Sequence, residues 1–435
     1  MWISKRLGKS FICRGIVRVG LSKLCIAAAV ISLSGCSERP VFREELYSFQ
    51  IKQPAVRVKL LETKEGQTVS PEGSFLIRCL FRDGRRSTYQ AAAKMLVKSD
   101  GGILTLNHEK LGELETDLQR VSFLPRQSND RILLNGRPYR GAVEMVPGDD
   151  DGCLLVLNLI HVEEYLKGVV PAEIGKLTQR ELEALKAQAV AARTYSLSRL
   201  GQYAEKGYDL EATVADQVYR GTRGEDRLAS RAVDLTRGEV LISEGKLISP
   251  YYHANSGGMT EHVEKVWDLP RESYLVPRND ESFCSWSENY AWQESWTREA
   301  LQKNLKAFLQ ASTELPEGEF GSLHDLQIAG RSPSGRVDLL KVTTDTGTYR
   351  IRGDKIRWAL RRGGRSKSIL PSTYFDLVIE RDEVGDIREV KARGRGNGHG
   401  VGMCQIGAIG MARKGYAYRD ILAHYYSDTH MIKCY

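Results

Sequence analysis

Nowhere does the 435-residue chain hold the roughly twenty consecutive apolar residues that a membrane-spanning helix needs, which excludes a core threaded through a bilayer by helices. Short repeats and low-complexity tracts are absent as well. Cysteine is sparse. After Cys36 only Cys79, Cys153, Cys284, Cys404 and Cys434 remain, none in a CxxC pair, and their odd number leaves at least one thiol free unless it bridges two chains. The glycine-rich stretch from Gly394 to Ala408 lacks the Lys followed by Ser or Thr of a phosphate loop, which argues against nucleotide binding.

What is present begins with an export signal over residues 1–35. Lys5, Arg6, Lys9, Arg14, Arg18 and Lys23 are unopposed by any acid, and Leu24 to Leu33 form an apolar run too brief to span a bilayer stably. Leu33-Ser34-Gly35-Cys36 resembles the bacterial lipobox, so Cys36 is the expected lipidation site and the chain is expected to be exported and tethered to a membrane. Without the six signal cations the net charge falls from +8 to +2, so no nucleic-acid partner is implied. A local excess survives in Arg350, Arg352, Lys355, Arg357, Arg361, Arg362, Arg365 and Lys367 against Asp354 alone. It reads either as a solvated helix face or as a patch that meets an anionic polymer.

The fold expected is α+β. Residues 36–138 read as a β-rich region, with Ala55 to Leu61 alternating in polarity and Asn135-Gly136 marking a turn. Residues 139–435 read as a mixed-sheet catalytic core with an inserted second lobe at about 257–370 and a groove between the two. The apolar strand around Leu154 to Ile160 leads through His161 to Gly168 toward a candidate acid, Glu173, which follows Pro171 and Ala172. A long helix is expected from about Gln179 to Leu200. Thr178 and Glu181 form a capping box before it, Gly201 stops it, and Leu182, Leu185, Ala189, Ala192 and Leu197 mark its buried face.

An acid near a helix N-terminus often does no more than complement the helix dipole. Around Glu173, however, the apolar strand, the rigid proline and the buried helix supply walls that would hold a carboxyl protonated and able to donate. No partner carboxylate of equal quality stands out. Farther on, the segment from Ile248 to Thr260 combines tyrosines, a histidine, a serine and paired glycines, the mixture a carbohydrate groove uses, although a plain turn with core tyrosines has the same composition.

Three separated stretches then point to one family. Val169-Val170-Pro171-Ala172-Glu173 with the helix from Glu183 to Tyr195, then Ser256-Gly257-Gly258, then Gly398-His399-Gly400-Val401-Gly402-Met403 with Gln405 and Gly407-Ala408, resemble the stage II sporulation protein D/amidase-enhancer family. The resemblance runs from about Tyr139 to Tyr435 and implies a lytic transglycosylase that needs no cofactor. Its substrate would be peptidoglycan glycan strands stripped of stem peptides by a cell-wall amidase, with Glu173 as the catalytic acid. Arg193, Tyr195, Gln217, Tyr219, Tyr252, His253, Ser256, His399 and Gln405 are the expected groove residues. The other role the family suggests is a non-catalytic peptidoglycan-binding activator of an amidase. Some members hold zinc through cysteine and histidine near the segment equivalent to Tyr208 through Gln217; Glu211 to Asp216 offers neither ligand type, so no zinc is expected. Cys404 replaces the family's more usual serine, and beside His399 it raises the alternative of a Cys–His nucleophile.

Overall fold

The computed structural model describes residues 53–127, 129–313, 320–362 and 368–435. The signal peptide, Cys36, Arg365 and Lys367 lie outside the described residues. The fold is α+β, as the sequence reading expected.

Leu154–His161 is buried along seven of its eight residues, which is what its unbroken apolar run requires of a central strand. On one side it pairs antiparallel with Ala55–Thr63, from Ala55 opposite His161 to Thr63 opposite Leu154, and on the other with Ala142–Pro147. The β-rich region is therefore continuous with the strand that leads to Glu173. One twelve-stranded sheet runs from the short strand Leu210–Glu211 through these three and Gly112–Pro125 to the hairpins between residues 67 and 139. Asn158, fully buried in the central strand, donates to the carbonyls of Arg140 and Ala142 and accepts from the Tyr219 hydroxyl, so no polar group is left stranded there.

The structure corrects the expected connection after this strand. Val162–Ile174 is a thirteen-residue helix, α1, with Pro171 inside it and Gly175 ending it at φ +87°. Proline removes one helical hydrogen bond. Burial of Val162, Tyr165, Leu166, Val169 and Val170, which recur at helical spacing, offsets that loss. Glu173 thus sits on the last turn of α1, not on a platform ahead of the next helix.

Thr178 and Glu181 form the expected capping box, and a short 3₁₀ turn then leads into α2, Leu182–Ser198. From Ala187 to Leu197 every residue of α2 is buried, because this helix packs against α1, α3 (Arg227–Leu235) and two later helices. The run of alanines lets those neighbours approach its backbone.

A second hydrophobic core draws its fully buried residues from Trp296 to Ala392. It is built by α4 (Arg298–Thr313), α5 (Lys355–Leu360) and two three-stranded antiparallel sheets. Val263, Val266, Tyr274, Leu275 and Cys284, which the sequence reading assigned to the inserted lobe, pack in the first core instead. Arg336 joins the two cores. It leads into the strand Val337–Thr344, is 1 % exposed, and donates to the backbone carbonyls of Ser256 and Met259. Gly400 leaves room for it, since a Cβ there would lie 2.6 Å from the guanidinium carbon. Glu261 accepts hydrogen bonds from Ser332 and Ser334 at the same junction.

Five cysteines fall within the described residues, all as free thiols, and only Cys434 is exposed. Brief alkylation of the folded protein followed by peptide mass spectrometry should label Cys434 and leave Cys79, Cys153, Cys284 and Cys404 unmodified until the chain is unfolded. Labelling of Cys284 or Cys404 in the native state would contradict this packing.

Candidate functional site

Glu173 is the most perturbed carboxyl among the described residues. Burial raises its pKa from 4.5 to about 7, and the Val218 backbone N–H, 2.6 Å from Oε1, offsets only part of that rise. Among the described residues no cation pairs with it. Its position adds to the effect in kind, because the C-terminal end of a helix carries partial negative charge and disfavours a carboxylate. At the N-terminal end of a helix, the position expected from the sequence, the dipole would act in the opposite sense.

Two tyrosines stand in the field of Glu173. Tyr165, two turns earlier on the same face of α1, is fully buried, and its hydroxyl has no hydrogen-bond partner among the described residues. Tyr252 is held from across the site, its hydroxyl accepting from Gln217 Nε2 at 3.0 Å. Gln217 is itself fixed, because Nε2 also donates to Ala192 O and Oε1 accepts from Ser196. Asp216 lies beside this cluster. Burial raises its pKa, yet both oxygens are engaged, Oδ1 by the Tyr195 hydroxyl at 3.0 Å and Oδ2 by the Glu211 N–H at 2.8 Å. Tyr165, Asp216 and Gln188 escaped the sequence reading. Tyr165, Val169 and Glu173 form one helical stripe, a signal that became legible only once α1 was recognised.

The remaining expected groove residues divide. Tyr195 packs at an edge against Tyr251, with Arg199 over its ring. Gln405 opens α6 (Gln405–Arg413) and donates to the buried Gln188 at 3.3 Å. His253 is buried, with Nδ1 3.1 Å from Val401 O and Nε2 without a protein partner. Four others do not face a groove. Arg193 is 0 % exposed and clamps Glu163 through two hydrogen bonds of 2.8 and 2.7 Å. Tyr219 stacks with Tyr139 and Tyr165 inside the core. Ser256, fully buried, donates to Asp280 at 2.7 Å. In His399, Nδ1 accepts the Val401 N–H, so Nε2 carries the proton that reaches Tyr252 O, and burial lowers its pKa to about 4.

The Cys–His alternative fails on this geometry. Cys404 Sγ accepts the N–H groups of Ser256 and Gly407, burial pushes its thiol pKa far up, and His399 has both ring nitrogens engaged elsewhere. Asp280, Cys284 and Cys404 form the one grouping of three metal-ligand types among the described residues. Asp280 already accepts from Ser256 and from Tyr425, so the cluster is closed by its own hydrogen bonds.

Residues 150–242, which contain α1, Glu173, α2 and Gln217, match the family model described as Stage II sporulation protein. Stage II sporulation protein D of Bacillus subtilis is 30% identical over 288 residues, 62% of this chain and 74% of that protein. The chain belongs to the stage II sporulation protein D family. Within that family the amidase enhancer of Bacillus subtilis is 29% identical over 368 residues; the match takes in 76% of this chain but only 50% of the enhancer's length. An uncharacterised protein of Brachyspira hyodysenteriae is 29% identical over 389 residues, 89% of this chain and 95% of its own. Residues 284–402, which include the second core, match a model described only as a domain of unknown function.

Proposed function

We propose that this member of the family acts on the cell wall as a lytic transglycosylase, cleaving peptidoglycan glycan strands with Glu173 as both acid and base. The observation that carries the reading is a carboxyl whose pKa is lifted to about 7, with one backbone N–H to steady it and, among the described residues, no cation to ionise it. An acid in that state is protonated for about half of the molecules at neutral pH and is matched to general acid–base work.

A hydrolase of the usual kind needs a second carboxylate as nucleophile or base. Asp216, the acid beside this cluster, is pinned by Tyr195 and Glu211, which favours a mechanism with one carboxyl. Protonated Glu173 donates to the glycosidic oxygen between N-acetylmuramic acid and N-acetylglucosamine, and the C1–O bond breaks. The carboxylate so formed takes the proton from the muramyl C6 hydroxyl as O6 bonds to C1. A 1,6-anhydro ring results, Glu173 is reprotonated, and no water enters. Tyr252, held by Gln217, is the ring assigned to sugar contact, and Tyr195, held by Asp216, packs behind the site. Lipid attachment at Cys36 would place the reaction outside the cytoplasm. The amidase enhancer among the relatives supports a second reading, in which the chain binds glycan and stimulates an amidase without cutting.

The pH profile on purified strands lacking stem peptides distinguishes them. Turnover must begin from protonated Glu173, so kcat/KM should fall about tenfold per pH unit above about 7. Cleavage that keeps rising to pH 9 would exclude Glu173 as the acid. Cys404→Ser should retain most activity, because a serine oxygen can also cap Gly407; loss of activity with an unchanged melting temperature would revive the thiol chemistry.

A further inference from the structure

Two concavities flank Trp292 on the second core, and neither is lined by Glu173, Gln217 or Tyr252. One, of about 430 Å³, has Trp292, Trp358, Arg357 and Arg362 in its wall. The other, of about 640 Å³, has Trp292, Tyr374, Arg331, Arg393 and Arg395. Trp292 lies across the paired strands because residue 394 is glycine: a Cβ there would sit 2.2 Å from the indole carbon Cζ2. Any side chain at 394 would lift the ring away. Trp358 is 48% exposed, an unusual position for an indole, and its Nε1 donates to Asp354.

Arginine dominates the lining of both clefts, and four of the five guanidinium groups have a carboxylate neighbour that orients them. Five arginines line the two clefts against a single acid, Asp376, which pairs with Arg331. Arg395 is stacked 4.3 Å over the Tyr374 ring with Glu281 3.8 Å from its guanidinium, and exposed Arg393 makes no ion pair among the described residues. Arg357 and Arg362 are held in place by Asp354 and Glu294. A solvated helix face would account for Arg357 and Trp358 alone; Trp292, Arg331, Arg393 and Arg395 come to the same clefts from three strands.

We propose that this tryptophan-floored double cleft is a non-catalytic binding site for an anionic glycan, in which the indoles stack on sugar faces and the guanidinium groups engage carboxylates. Flat guanidinium forks match carboxylates in a bidentate fashion, and indoles offer broad apolar faces to sugar C–H groups. The proposal rests on the glycan-cleaving reading above and extends it to substrate choice. A strand that still bears stem peptides has its lactyl carboxylates tied up in amide bonds, whereas removal of the peptides frees a carboxylate on every muramic acid. The cleft would therefore read the chemical difference between the two strands before Glu173 acts.

The test uses the full chain in detergent carrying Glu173→Gln, so that bound strands survive. Three probes are compared by titration: strands lacking stem peptides, the same strands with carboxylates converted to methylamides, and a poly(glycerol phosphate). The free-carboxylate strands should bind at least tenfold more tightly than the methylamides. Trp358→Ala and, separately, Arg393→Ala should each remove most of that advantage while leaving the melting temperature within a degree or two. Equal affinity for charged and amidated strands would overturn the proposal, as would unaltered binding by both variants. Tighter binding of the phosphate polymer would overturn the carboxylate assignment. If the chain with Glu173 intact does not cut these strands while the carboxylate preference and its loss in the variants hold, the catalytic reading fails and the binding site stands.

Discussion

Glu173→Gln should lower kcat on glycan strands by on the order of a thousandfold and leave KM nearly unchanged, because the amide keeps the shape and cannot donate a proton to the leaving oxygen. The Val218 N–H can still be accepted by the amide oxygen, so the loop that carries Gln217 should not move. The same substitution should stabilise the protein at alkaline pH. The folded-state pKa of Glu173, about 7, lies above the ordinary 4.5, so the fold holds a proton that the unfolded chain has released. Stability contributed by this group is therefore complete below about pH 4.5 and is lost as pH rises to about 7. Above that, this half-buried carboxylate costs at most about 3 kcal/mol. Thermal melts should show the variant equal to the parent at pH 4 and several degrees higher at pH 8. A variant that melts lower at pH 8 would mean that the charged form is stabilised by a partner.

Arg193→Met should destabilise the fold by about 3–5 kcal/mol, since it leaves Glu163 ionised and buried with its main counter-charge gone. The pair is 0 % and 1 % exposed. Glu163 also accepts the Gly238 N–H at 3.1 Å and the Tyr435 hydroxyl at 2.5 Å, so one carboxylate ties the start of α1 to α2 and to the chain's last residue. Burial alone would raise the Glu163 pKa, but Arg193, Tyr435 and Gly238 hold it below the ordinary carboxylate value. The stability it supplies is present above about pH 4.5 and is lost as pH falls through that lowered pKa, opposite in sign to Glu173. Replacing both members, Glu163→Met with Arg193→Met, should recover most of the loss, because two apolar side chains leave no charge without a partner. Urea titration of the three variants measures this coupling. Additive losses would show that Arg193 acts through packing alone.

How far these features were legible depends on whether they are local. The bounds of α2 follow from Thr178, Glu181 and Gly201, which act within one turn, and the central strand follows from an apolar run that has nowhere to go but inside. The raised pKa of the Glu173 carboxyl was legible from its apolar surroundings. The helix carrying it was not, because Gly168 and Pro171 oppose helix formation locally and only packing against the sheet and α2 overrides them. Polar residues were misread for a related reason. Arg193 and Ser256 have the groups that bind sugars, but partners 30 and 24 residues distant use those groups within the protein. The glycines after Gly394 do mark close approach, as their density indicated. What approaches is the protein's own backbone and the Arg336 guanidinium: at Gly402, with φ +70°, a Cβ would lie 2.0 Å from Tyr251 O.

The central claim is that Glu173 closes an anhydro ring without water. It is tested most directly by digesting strands that lack stem peptides with the full chain in ¹⁸O-labelled water and weighing the products. Muramyl ends one water lighter than a hydrolytic product and free of label are the predicted result, absent in Glu173→Gln. Reducing ends that carry the label would contradict it and assign a second catalytic group, with Asp216 the first to replace. Intact strands that sediment with the protein would leave the chain as a glycan-binding partner of an amidase.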